Sequence, residues 1–160
     1  MTPEQAVDRQ PRPITSAAEV PPGAAPGSQS WIEWADALPA TRAIGLQCHS
    51  MASTGVSMLM EDSVWPLNPN GALHGGLVFA AVDHCMGVAA VAAQAPGWGA
   101  VTASLTVDYY APGKLPITFD AKVARRARAV TFVELTATAA DGQTCARASG
   151  IWAAFPRSVS

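Results

Sequence analysis

The strictest hydrophobic pattern in the chain runs over 101–109. Val101, Ala103, Leu105, Val107 and Tyr109 alternate with Thr102, Ser104, Thr106 and Asp108, and Tyr110 continues the second set. A period of two predicts a half-buried β-strand with those two sets on opposite faces. Weaker alternation marks strands over 55–61, where Val56, Met58 and Met60 form one set, and from 117, where Ile117, Phe119, Ala121 and Val123 do so. Further strands are expected over 42–50, 131–139 and 143–154. Asp141-Gly142 predicts a tight primed hairpin turn between the last two. Between the second and third strands the period changes. Residues 74–94 are apolar nearly all round and stop at Pro96-Gly97, which predicts a helix with Leu77, Ala81, Cys85, Val88 and Ala92 along one stripe. Trp31, Ile32, Trp34, Ala35 and Leu38 fit a short amphipathic helix closed by Pro39, a cover for the core or for one end of a ligand tunnel.

The expected architecture is therefore α+β. One long central helix is wrapped by a strongly curved, mostly antiparallel sheet of about six strands in the order β-β-α-β-β-β-β. Residues 1–30 carry six prolines among Gly, Ala, Ser and Gln and read as a disordered tail, leaving 31–160 as one domain.

Composition adds a constraint on assembly. Charged residues make up 14% of the 160 and hydrophobic residues 49%, against roughly 25% charged in ordinary soluble domains. A small domain hides that much apolar surface poorly, so a large interface in an obligate homo-oligomer is expected. The net charge of -2 supplies no basic field for nucleic acid. Cys48, Cys85 and Cys145 are odd in number and form no Cys-x-x-Cys pair, which disfavours disulfides and zinc and fits reduced thiols in the cytoplasm. The N-terminus lacks the basic-then-apolar pattern of a signal peptide. Asp83, His84 and Gln94 interrupt the apolar run 77–95, which argues against a membrane span.

The chemistry concentrates in the helix. Asp83 is its only carboxylate, with Phe79, Ala80, Met86 and Gly87 at spacings of three and four and no Lys or Arg within a turn. An unpaired charge there is costly. It is either satisfied by backbone amides or His84, or it is a catalytic carboxylate facing a wet pocket. Gly75 and Gly76 open the helix, where unpaired N–H groups and the positive end of the dipole meet. They serve either plain chain reversal or close approach by a polarised carbonyl oxygen. Gly75 and Asp83 are eight residues apart, about 12 Å along a helix. One carbonyl meets both only if two copies pack with antiparallel helices about a two-fold axis.

Asn68, His74-Gly75-Gly76, Asp83, Thr102 and the segment TVDYYAPG at 106–113 resemble the hotdog-fold acyl-CoA thioesterases, in particular their PaaI-like, phenylacetate-pathway branch. The resemblance covers about residues 40–154. It implies a dimer with joined sheets, often paired into a tetramer, and active sites between subunits that hydrolyse an acyl-CoA thioester to a carboxylic acid and free coenzyme A. By position, Asp83 would be nucleophile or general base and the Gly75 N–H would polarise the carbonyl. Asn68, or Asn70 in another loop register, would orient water or thioester, and Thr102 would support the water. His74 would shape the turn or transfer protons. Gly76, Phe79 and Met86 would contact substrate, with Met58, Met60 and Trp98 as further candidates for an aryl or alkyl pocket. Arg126 and Arg128, in a cluster with Arg125, would meet coenzyme A phosphates. No metal or cofactor is implied beyond the coenzyme A of the substrate. A hydratase or dehydratase on enoyl or 3-hydroxyacyl thioesters, and a non-catalytic acyl-CoA-binding module, are the alternatives.

Overall fold

A computed structural model describes residues 20–21, 25–63 and 65–157. Residues 1–19 and 22–24 of the expected tail lie outside the described residues. Within the remainder, Val20 packs against the core and the first helix, α1, spans Gln29–Ala37. After it come α2 (Pro39–Ile44), β1 (Gln47–Ala52), β2 (Gly55–Met60), α3 (Gly75–Ala92), β3 (Trp98–Tyr109), β4 (Ile117–Arg126), β5 (Val130–Ala139) and β6 (Thr144–Pro156). The strands form one six-stranded sheet in the order β1-β2-β4-β5-β6-β3, antiparallel at every pairing.

The core lies between α3 and the inner face of this sheet. Ten residues of α3 are buried, and Met58, Met60, Ile117, Phe119, Val133 and Trp152 close over them from the strands. Side chains of this size contribute about 1.5–3 kcal/mol each when fully buried. α3 is long and apolar enough to cross a membrane by length and composition. In this fold its apolar surface is instead spent on the sheet. The alternation read in β2 and β4 survives: Val56, Met58 and Met60, then Ile117, Phe119 and Ala121 point inward, and β5 adds Val133, Leu135 and Ala137.

Three local expectations are corrected. The segment 42–50 is not one strand. Pro39 does not merely close α1; it sits at the start of α2, where its missing N–H costs no hydrogen bond. α2 then ends at Gly45 in the left-handed conformation, and only after this does the chain extend into β1. The β5–β6 turn is not a two-residue primed turn on Asp141-Gly142, which requires positive φ at its first central residue. Only Gly142 has positive φ (82°). Its N–H donates to the Ala139 carbonyl, and the Ala139 N–H donates to that of Gln143, so the connection is longer.

The third correction matters most for the site. β3 pairs with β6 in two registers: Trp98 to Thr102 against Pro156 to Trp152, then Ser104 to Tyr109 against Ile151 to Ala146. Ala103 is the extra residue of a β-bulge, and a bulge reverses which parity faces inward. The inward set is therefore Ala100 and Thr102, then Leu105, Val107 and Tyr109, opposite the inward residues Trp152, Ala148 and Ala146 of β6. Val101, expected to share a face with Leu105, points outward and is 55% exposed.

The close approach of β6 to β3 depends on Gly150. A Cβ there would lie 2.6 Å from the Trp152 ring and 2.8 Å from the Ser104 carbonyl oxygen. Gly150→Ala is expected to destabilise the protein by about 1–3 kcal/mol, the usual cost of overpacking. Chemical denaturation of variant and parent measures this; an unchanged midpoint contradicts the packing.

Candidate active site

α3 begins at a side-chain cap. His74 stands at the N-cap with φ -62° and ψ 132°, and its Nδ1 accepts from the Gly76 N–H at 3.1 Å. A side-chain acceptor at this position satisfies one of the helix's four unpaired N–H groups. A Cβ at position 76 would stand 3.3 Å from His74 Nδ1, so a side chain there would press on the cap. His74 is thus committed to the turn, and the Gly76 N–H, expected at the substrate, is occupied. The Gly75 N–H has no acceptor among the described residues.

Tyr109 comes down on this helix start from β3. Its hydroxyl donates to the Gly75 carbonyl at 2.8 Å, and its ring lies 3.7 Å from where a Gly75 Cβ would sit. Asn68 arrives from the preceding loop. Its side-chain oxygen accepts from the N–H groups of Asn70 (2.9 Å) and Ala72 (3.1 Å), and its own N–H donates to the Ala72 carbonyl at 2.8 Å. That closes the loop turn and leaves the side-chain amide as the group Asn68 presents outward. Asn70 contributes only backbone to this turn. Asn68, Leu73, Gly75, Val78, Tyr109 and Gly113 are among the walls of a cavity of about 140 Å³.

Asp83 lies two turns further on, half-buried, and its Oδ1 accepts from the Thr102 hydroxyl at 2.9 Å. The reading in which backbone amides or His84 satisfy this carboxylate is replaced by a single hydroxyl donor from β3. His84 faces elsewhere. Its Nε2 lies 2.7 Å from Thr41 Oγ1, and Thr41 Oγ1 lies 2.6 Å from the Ala35 carbonyl oxygen. A carbonyl only accepts, so the Thr41 hydroxyl donates to it and accepts from His84; the network assigns the proton to Nε2. Burial pushes the His84 pKa down, opposed by the neighbouring Asp83 carboxylate.

The structure therefore holds two candidate half-sites in one chain: Gly75 with Asn68 and Tyr109, and Asp83 with Thr102. About 12 Å of helix separates them. Phe79, on the turn between them, is exposed, whereas Met86 is fully buried in the core with Met58 and Met60 and lines no part of the cavity. Arg126 and Arg128 are exposed beside the β4–β5 turn. That turn is near the other end of α3, where Gln94 donates to Thr131 Oγ1 at 2.9 Å, so they are remote from Gly75 of the same chain. The sequence offered no site role for Tyr109, and for His84 only that of a partner to Asp83. For Tyr109 the available signal was its place in the TVDYYAPG segment; the bulge that brings Thr102 onto the same face has no sequence mark. Among the described residues no group of His, Cys, Asp and Glu side chains could hold a metal ion.

With this geometry in view, residues 70–146 match the family model described as the thioesterase superfamily. The fold is that of PaaI from the phenylacetic acid degradation operon of E. coli, with TM-score 0.70 and 20% identity over 78% of this chain and 90% of that one. A Streptococcus mutans protein solved with acetyl-CoA bound shares it at TM-score 0.59 and 25% identity, over 66% of this chain and 85% of that one. A Saccharolobus solfataricus protein provisionally named an esterase is 36% identical over 83 residues, 51% of this chain and 59% of its own length. The chain thus spans less than two thirds of that curated relative. The match to the family model spans just under half of the chain, and the fold it shares with these solved structures is the hotdog fold.

The lowered His84 pKa sets a pH dependence. The unfolded chain binds the proton more readily than the native state, so His84 costs stability once pH falls below the ordinary imidazole value of about 6.5. Native stability should decline between pH 7 and 5.5, and His84→Gln should flatten that part of the profile. Parallel slopes in denaturant titrations across this range would rule out the assignment.

Proposed function

We propose that this protein is an acyl-CoA thioesterase whose active site joins the Gly75 half-site of one subunit to the Asp83 half-site of another. The observation that carries the reading is the division of one chemistry into two half-sites on a single helix. A hydrolytic site for a thioester needs an oxyanion donor and a base, or nucleophile, around one carbonyl. A chain that separates them by about 12 Å cannot apply both to one bond.

The exposed surface supports the pairing. β3 ends the sheet order, so its outer edge is unpaired along 12 residues, a template for another strand. Beside it Phe79, Trp98, Val101 and Phe155 are between 41% and 55% exposed. If Gly75 of one copy meets Asp83 of the other, the two-fold axis passes the residue midway between them, Phe79. β3 strands pairing across the same axis extend the sheet from one subunit into the next, and the apolar edge is covered. Phe79 then meets its own copy at the axis, and its ring flanks both sites.

In the joined site the thioester oxygen receives the N–H of Gly75 of the partner subunit, and the Asn68 amide from that subunit's loop orients the reacting groups. Thr102 holds the Asp83 carboxylate through Oδ1, leaving Oδ2 toward the substrate. Asp83 acts either as general base or as nucleophile. As base it takes a proton from water while the water oxygen adds to the carbonyl carbon. The carbon–sulfur bond then breaks and the proton passes to the departing coenzyme A thiolate. As nucleophile it forms an anhydride that water opens to the same products. Neither route calls for a metal or a separate cofactor. Coenzyme A as the carrier is supported by the acetyl-CoA bound to the Streptococcus mutans neighbour. Arg126 and Arg128 are exposed cations suited to its phosphates. Three buried free thiols accord with a cytoplasmic setting.

A thiol-release assay across an acyl-CoA panel tests the reading. Hydrolysis supports it, hydration without thiol release points to a hydratase, and binding without turnover to a carrier module. Asp83→Asn should lower kcat by at least about 1,000-fold, the scale of losing a group central to the reaction, while acyl-CoA affinity and subunit assembly persist. Near-parental turnover would exclude Asp83 from the chemistry. Mixing Asp83→Asn subunits with Gly75→Pro subunits, which lack the donor N–H, should restore up to one working site per hybrid. Exchange without recovery would refute a site shared between chains.

A further inference from the structure

Tyr109 is a polar side chain at the helix start that the reaction scheme leaves unused. It sits after the bulge on the inward parity of β3, lines the same cavity as Gly75 and Asn68, and donates its hydroxyl hydrogen to the Gly75 carbonyl at 2.8 Å. Its ring is in van der Waals range of the place where a Gly75 Cβ would be. As the first helical residue, Gly75 already has its carbonyl available to the N–H four residues on. The hydroxyl is therefore a second donor to that oxygen, supplied from the sheet and not from the helix.

We propose that Tyr109 is a positioning residue that fixes the direction of the Gly75 N–H, the oxyanion donor of the shared site, by holding the Gly75 carbonyl against β3. The proposal rests on the thioesterase reading given above. Two peptide planes meet at the Gly75 α-carbon: one carries its N–H, the other its carbonyl. With no side chain at Gly75, little local steric force sets the angle between them. The neighbouring Gly76 is equally unrestrained by a side chain, though His74 holds its N–H. Three features then define the helix start: His74 on Gly76, Tyr109 on the Gly75 carbonyl, and the Tyr109 ring over the side of Gly75 where a Cβ would stand. The only one of these anchored in the sheet is Tyr109, so it ties the donor to the strand that also carries Thr102. An oxyanion donor is effective in proportion to its prior alignment, because misdirected N–H groups must reorient as charge develops.

Tyr109→Phe removes the hydroxyl and keeps the ring. The expected result is a kcat about five- to tenfold lower, the value of one net hydrogen bond, with KM for the best acyl-CoA changed less than twofold. Two substrate analogues read the donor without turnover. One replaces the thioester sulfur by methylene and keeps the carbonyl as a ketone; the other is an S-alkyl-CoA thioether without a carbonyl. The variant should bind the ketone more weakly than the parent does and the thioether equally well. Unchanged kcat, or equal loss of both analogues with a lowered Tm, would overturn the positioning role and assign Tyr109 to general packing. If the parent itself releases no thiol from any acyl-CoA, the thioesterase reading fails and this proposal falls with it. An active parent with an unaffected variant removes the proposal alone.

Discussion

The β-bulge at Ala103 is the constraint on which both half-sites depend. Before it, Thr102 faces α3; after it, Leu105, Val107 and Tyr109 do. A regular strand has a period of two, so it could present Thr102 or Tyr109 to the helix, not both. One inserted residue reconciles them, and β3 grips α3 at two points: the Asp83 carboxylate and the Gly75 carbonyl. Bulges re-aim side chains beside functional sites in this way. Among the described residues, Thr102 and Tyr109 are the only side-chain donors from the sheet to either group.

α3 shows how an apolar helix accommodates polar chemistry. Ten of its residues are buried, and the polar or ionisable groups lie where the burial is broken. His74 stands outside the first turn as its cap. Asp83 opens toward Thr102 at the edge of the sheet. His84 points to the other side and bonds Thr41 of α2, locking the short N-terminal helices onto the core. Adjacent residues on a helix are about 100° apart, so Asp83 and His84 serve different surfaces despite being neighbours in the chain. This separation keeps a buried imidazole, whose pKa burial lowers, out of the carboxylate's hydrogen-bond shell.

The same division explains the surface. The polar outer face of the sheet, with Ser57, Asp120, Lys122, Glu134 and Thr136, needs no partner to be soluble. Ser57 and Asp120 already bond one another there. The β3 edge is different. It carries exposed aromatic and aliphatic side chains next to an open strand, and it is flanked by the Asp83–Thr102 hydrogen bond. Association along that edge would cover the apolar side chains and pair the open strand at once.

Much of this was legible in the order of residues. Period-two runs located β2, β3 and β4, the nearly continuous apolar run located α3, and adjacent glycines with a lone downstream acid marked the candidate site. These features are local: spacing along a chain converts directly into rise and face. What local pattern could not decide was anything set by contacts between distant segments. The bulge arises where β3 meets β6 and reversed the facing of half a strand that alternates without fault in sequence. Met86 neighbours Asp83 on the helix, yet packing turned it into the core. Pro39 and Gly45 were consistent with a break, but only the docking of α2 against α3 made the intervening residues helical. The chain by itself determined which groups are present and how far apart they lie. Tertiary structure decided which of them face each other, because that depends on how one surface closes over another, a property no single segment carries.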